Sequence, residues 1–191
     1  MITMNSYLKI LGLSAFAALI ITSCKKEKTE EEQNDNELIT TVRVTLTEEG
    51  TSNTSTYLWA DIDGAGGEDP SFDDIVLKPN TAYQAQVSFL DESKNPIEDI
   101  TEEIEEESDV HRLYFMPTAG TGITVSDVDN DINGLPLGIN STWNTTVAGT
   151  GTMKITLRHY PNGGKEASDP VSSSKSGTDA EVEFPVIVDV P

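Results

Sequence analysis

The chain has one cysteine, two histidines and only 12 basic residues against 33 acidic ones. A single cysteine, Cys24, excludes an internal disulfide framework, so the fold must rest on its hydrophobic core. The formal net charge of −21 repels phosphate backbones and anionic lipid surfaces while attracting cations and basic partners. That charge excludes nucleic acid as a partner. Catalytic signatures are missing as well: there is no G-x-S-x-G elbow and no H-E-x-x-H zinc-hydrolase spacing. Paired carboxylates, which glycosidases need across a cleft, are too abundant here to mark one. The expectation is that the protein is not an enzyme.

Long apolar runs are absent too, with one exception. Residues 10–21 follow Lys9 and form an apolar segment of secretory-signal length, short for a membrane-spanning helix. The segment ends in Ile21-Thr22-Ser23-Cys24, which resembles the bacterial lipobox: a branched aliphatic residue, two small residues, then cysteine. That resemblance implies cleavage after residue 23 and acylation of Cys24, several chains together giving a stable bilayer anchor at about 0.8 kcal/mol per buried CH₂. Residues 24–37 carry no apolar side chain after Cys24, and a stretch of this composition builds no core. It reads as a disordered acidic tether. The run Lys25-Lys26-Glu27 resembles the charged export tags that carry Bacteroidetes lipoproteins to the cell surface. The expected location is therefore the outer membrane, lipid-anchored, on the cell surface or on the periplasmic face.

What remains, residues 38–191, suits one domain with a sizeable core. Apolar residues alternate with polar ones: Val42, Val44 and Leu46 share one face, and so do Tyr83, Ala85, Val87 and Phe89. Strands are predicted over 39–46, 56–60, 75–77, 83–90, 110–116, 123–128, 141–147, 153–159 and 180–188, with Gly, Asn, Asp and Pro between them. About eight or nine short strands in succession predict a mainly β fold, an antiparallel, Ig-like β-sandwich. Pro185 should place part of the last strand at an edge or bulge. The segment 161–178 lacks apolar periodicity and reads as a long flexible surface loop. One short acidic helix is expected, with Asn95 as its cap, Pro96 in its first turn and Glu98 as a capping-box acid. Ile97, Ile100 and Ile104 would form its apolar stripe.

That helix runs into ITEEIEEESDVHR, residues 100–112, where six acids precede His111. Like charges four apart, such as Glu103 and Glu107, cost a few tenths of a kcal/mol each, so the run asks for an explanation. Carboxylates from Glu103 and Glu107, with imidazoles from His111 and from His159 at another strand end, would suit zinc or copper. A solvated helix face with two ordinary histidines is the competing account.

A second candidate lies at residues 127–134. Asp129, Asp131 and Asn133 alternate before Gly134 as in the first half of a calcium loop, and Asp127 could add an oxygen from upstream. Position twelve of that loop is Asn140 rather than glutamate, so any calcium site would be weak, at about 10⁻⁴ to 10⁻³ M. Asp61 and Asp63 repeat the theme. Ordinary turn chemistry of Asp, Asn and Gly is the competing account of both loops. Trp59 and Trp143 would serve either as a sugar-binding platform or as buried core.

Several motifs in order, NELITTV, DxDGxGG, NxxEDITEEIEEE with its following histidine, NGLPLG, LRHYP and EVEFPV, resemble a family of short flavobacterial-type lipoproteins. Its members are labelled "type 1 periplasmic binding fold superfamily" and are encoded beside TonB-dependent outer-membrane receptors. The resemblance implies a role in nutrient or metal uptake beside such a receptor. The label names a two-domain α/β architecture, whereas consecutive strands with one helix predict the sandwich. Two functions follow as expectations: an accessory that binds a cation or other ligand for an uptake receptor, or a structural, adhesive module with at most a structural calcium.

Overall fold

The computed structural model describes residues 38–64 and 66–189. The expected signal peptide, the expected acylation site Cys24 and the expected tether lie outside the described residues. Two sheets pack face to face. The larger runs, in spatial order, through β3 (Ser71–Phe72), β2 (Thr54–Ala60), β1 (Thr41–Glu48), β5 (Ala82–Asp91), β9 (Asn140–Thr145) and β8 (Ile123–Ser126). The short β6 (Glu98–Asp99) pairs with the far end of β5, beyond the stretch that β9 covers. The smaller sheet is β4 (Ile75–Leu77), β11 (Gly177–Val188), β10 (Gly149–His159) and β7 (His111–Pro117). Pairing is antiparallel except between β4 and β11.

The alternation read from the sequence sets the inner faces. Val42, Val44 and Leu46 stand in register with Phe89, Val87 and Ala85, and all six are buried. From the other sheet Met153 and Ile155 pair with Phe184 and Val182 and close the layer. Each fully buried Leu, Ile or Phe contributes about 1.5–3 kcal/mol, and with no disulfide this layer carries the stability. Trp143 is fully buried, donates from its indole nitrogen to the Ser141 hydroxyl at 3.1 Å and meets Phe115 edge to face. It is core and not a platform. No helix of the described residues is long and apolar enough to cross a membrane.

The sandwich is the predicted one, and all nine predicted strands are present; two two-residue strands, β3 and β6, bring the number to eleven. Two local expectations need correction. Helix α1 spans Ile100–Glu106 and is capped by Asp99, whose carboxylate accepts from the Thr101 amide at 3.0 Å. The reason is β6: Glu98 and Asp99 pair with Asp91 and Leu90, which keeps them extended and delays the helix. Asn95 and Pro96 thus sit in the preceding turn, and Ile97 is exposed while Ile100 and Ile104 are buried. Pro185 does lie where β11 is an edge, since β4 pairs only from Val186 onward, but the bulge falls elsewhere, between Leu157 and Arg158.

The second correction concerns residues 161–176, which pack as a strap against the smaller sheet. Arg112 donates to the carbonyls of Glu166 and Ala167 at 3.1 Å and to that of Asp169 at 3.3 Å. The Tyr114 hydroxyl donates to the Asp169 carbonyl at 2.9 Å, and Arg158 holds the Ser173 carbonyl at 3.0 Å. Basic side chains replace apolar periodicity as the means of holding this segment, which is why hydrophobic pattern alone missed it.

Candidate metal centre

Backbone pairing assembles the site. β7 and β10 run antiparallel with His111 directly opposite His159, and the two rings stack with centroids 4.7 Å apart and planes inclined by 26°. Just before β7, α1 ends and Glu107 takes the C-cap position, its amide donating to the Glu103 carbonyl at 2.8 Å. The chain then turns tightly, the Val110 amide donating to the Glu107 carbonyl at 3.0 Å. That turn folds Glu107 back over His111, and the His111 Nδ1–H donates to the same carbonyl, also at 3.0 Å. A carbonyl can only accept, so the neutral ring carries its proton on Nδ1 and its lone pair on Nε2. One donor atom from each of Glu107, His111 and His159 falls within 4.8 Å of the others.

Besides the buried Ile100 and Ile104, one polar side chain docks the helix. Thr101 is buried, and its hydroxyl accepts from the Phe89 amide at 2.9 Å and lies 3.3 Å from the Phe89 carbonyl. It satisfies the β5 edge where β6 stops. Thr101→Val keeps the shape and removes the hydroxyl, leaving buried backbone groups unpaired. Chemical denaturation should show a loss of about 1–3 kcal/mol; an unchanged midpoint would mean that water replaces the hydroxyl.

Burial pushes the His111 ring below the ordinary imidazole range, with the Glu107 carbonyl opposing that shift and His159 adding to it. His111 is therefore neutral near pH 7, with Nε2 free to ligate. Across from Nε2, at 3.8 Å, stands a carboxylate that sequence reasoning missed, Asp179 Oδ2. Burial raises Asp179 above the usual carboxylate range, against the pull of His159, His111 and Arg158. An acid short of positive charge thus faces an imidazole that resists a proton. No spacing rule could have found Asp179, because a strand pairing 20 or more residues away from either histidine brings it in.

Other predicted donors are not brought here. Glu103 lies a turn back along α1, exposed, and does not join the group. The predicted calcium loop is built otherwise. The Asp129 carboxylate accepts from the Gly138 amide at 2.7 Å, the Asn140 amide at 3.0 Å and the Asn140 side chain at 2.9 Å. Asp131 Oδ1 accepts from the Asn133 and Leu135 amides, both at 2.8 Å. Its Oδ2 lies 2.7 Å from the ammonium of Lys165, both side chains being essentially inaccessible. Among the described residues the Asp127 carboxylate accepts from the Ser126 hydroxyl alone, and the Asn133 amide is a donor in the turn. The oxygens of Asp127, Asp129, Asp131 and Asn133 do not converge; turn chemistry and an internal lysine account for them. Asp63 likewise caps its own turn, accepting from the Glu68 amide at 2.9 Å.

Lys165 does more than pair with Asp131. Its ammonium donates to the carbonyls of Ser108 and His111 at 2.7 Å and of Pro136 at 3.3 Å. One buried cation therefore ties the strap, the Asp131 turn and the Glu107–His111 segment together. Burial pushes the Asp131 carboxyl up, but Lys165 and the Leu135 and Asn133 amides outweigh it and hold it below its ordinary value.

The fold class is thus a two-sheet antiparallel sandwich, and its distinguishing feature is a stacked histidine pair beside an acidic helix end. Comparison with known protein families, with curated proteins and with solved structures finds no match.

Proposed function

We propose that the protein is a lipid-anchored binding accessory that captures a divalent transition-metal ion at Glu107, His111 and His159 and presents it to an outer-membrane uptake receptor. The observation that carries this reading is the stacked His111–His159 pair with a carboxylate donor inside 4.8 Å. A neutral imidazole with its second nitrogen fixed by a carbonyl is the usual form of a metal-ligating histidine. The surroundings favour the same reading. α1 has acids in its first turn and no base in its last, and Glu106 and Glu107 sit at the helix end where the dipole disfavours negative charge. A bound cation relieves that repulsion, and the overall charge of −21 draws cations toward the surface. Acylation of Cys24 would hold the domain at the outer membrane, and a TonB-dependent receptor is the proposed partner, from the resemblance in the sequence.

The test is calorimetric titration of the full chain in detergent with zinc, copper and calcium, beside the His111→Ala/His159→Ala variant. Zinc or copper should bind at micromolar or tighter affinity, and the variant should lose at least about 100-fold, roughly 2.7 kcal/mol. Calcium binding alone, indifferent to the histidines, would leave the acidic run as a solvated helix and favour the structural, adhesive role.

A further inference from the structure

We infer that Asp179 is a fourth protein ligand of this centre, completing a two-nitrogen, two-oxygen donor set suited to a tetrahedral zinc-type dication. The inference rests on the reading that Glu107, His111 and His159 hold a metal, and adds a residue and a coordination geometry to it.

The backbone makes an exception for this residue. β10 and β11 pair regularly from Gly149↔Val188 to Leu157↔Ala180, then resume at Arg158↔Thr178 and His159↔Gly177. Asp179 is the residue left over, the extra position of a β-bulge. Bulges re-aim a side chain that a regular strand would send elsewhere, and they collect beside functional sites. The side chain so aimed is only 13% exposed, and its partner His111 is 9% exposed.

The separation between them has a meaning. At 3.8 Å, Asp179 Oδ2 and His111 Nε2 are beyond hydrogen-bond reach. Two donors each about 2.0–2.1 Å from one tetrahedral ion sit about 3.3 Å apart; Asp179 stands outside the group of three that lie within 4.8 Å of one another, and a rotation of its side chain toward His111 is what would bring it in. The Asp179 carboxylate, half-buried rather than sealed off, accepts no hydrogen bond from a described residue and faces the His111 ring. Charge also balances: two carboxylates neutralise a dication, while both imidazoles ligate uncharged. Imidazole with carboxylate suits zinc and its neighbours, whereas calcium asks for six to eight oxygens and magnesium for an octahedral oxygen shell.

The experiment uses the full chain in detergent, titrated with zinc by calorimetry and with cobalt(II) by visible absorption. Wild type, Asp179→Asn, Asp179→His and His111→Ala are compared, with circular dichroism reporting on folding. Wild type should bind zinc and give the intense cobalt bands of a tetrahedral site. Asp179→Asn should weaken zinc by at least about 10-fold and diminish those bands. Asp179→His should keep intense bands but displace them, since a nitrogen replaces an oxygen on the ion; should Asp179→Asn fail to fold, that displacement carries the test. Binding lost in His111→Ala but unchanged in affinity and spectrum in both Asp179 variants overturns the fourth ligand and leaves the three-residue centre standing. No zinc or cobalt binding by wild type overturns both.

Discussion

Lys165→Met should lower the stability of the domain by about 3–5 kcal/mol, because it leaves a buried carboxylate without its counter-charge. The substitution keeps the aliphatic stem and removes only the ammonium, so packing is preserved and the charge effect isolated. Asp131 would retain the two amides on Oδ1 but face the interior with an unpaired Oδ2. The carbonyls of Ser108 and His111 would lose their donor at the same time. For a domain of this size the thermal midpoint should fall by roughly 6–20 °C. A buried pair is not in itself strong evidence of stabilisation, since a well-packed apolar pair often does as well. Breaking one side of it is the costly operation, and that is what this variant does. Zinc affinity at the proposed centre should fall along with stability, because the Ser108 and His111 carbonyls that Lys165 grips flank the Glu107–His111 turn. A midpoint within about 1 °C of wild type would show that water reaches Asp131 and that the strap is not held by this lysine.

The contrast between Lys165 and the strands shows which parts of the structure were legible in the sequence. Period-two alternation is a local signal, repeated several times in each of β1, β5 and β10, so the sandwich could be read directly. The helix boundary failed by several residues because the cap signal at Asn95 and Pro96 was real turn chemistry, overridden by the pairing of Glu98 and Asp99 with β5. Lys165, Arg112 and Arg158 act through long-range contacts to carbonyls, which leave no period behind. The same reasoning divides the candidate centre. Glu107 and His111 are four residues apart and share one turn, so spacing could link them. His159 required only that one strand lie beside another. Asp179 required the register of β11 to slip by one residue, and nothing in the sequence from Gly177 to Ala180 announces that slip. The calcium motif failed for a complementary reason. An alternating Asp/Asn/Gly pattern specifies a turn whether its oxygens converge on an ion or on backbone amides, and here the amides of Asn133, Leu135, Gly138 and Asn140 take them.

Gly138→Ala, in that same loop, should be nearly as damaging as the loss of Lys165, at about 2–6 kcal/mol, from two additive causes. Gly138 adopts φ of +101°, in the region that side chains avoid, and its amide donates to Asp129 Oδ1 at 2.7 Å. A methyl group there would also stand 2.9 Å from the Leu113 Cβ and 3.2 Å from the Leu113 carbonyl oxygen. Leu113 is a core residue of β7, two positions after His111, and its amide donates to the Leu137 carbonyl at 2.7 Å. It cannot move aside without shifting the strand that carries the histidine. The loop must therefore unlatch from Asp129, or β7 must shift away from it. Gly134→Ala, four residues earlier, separates the two causes. Gly134 has φ of +78°, but a Cβ there meets nothing within 4 Å, so only the backbone strain applies, at about 1–2 kcal/mol. Urea denaturation of both variants should place Gly138→Ala well below Gly134→Ala. Equal midpoints would mean that the close approach of Gly138 to Leu113 relaxes freely and that the NGLPLG loop does not brace the strand bearing His111.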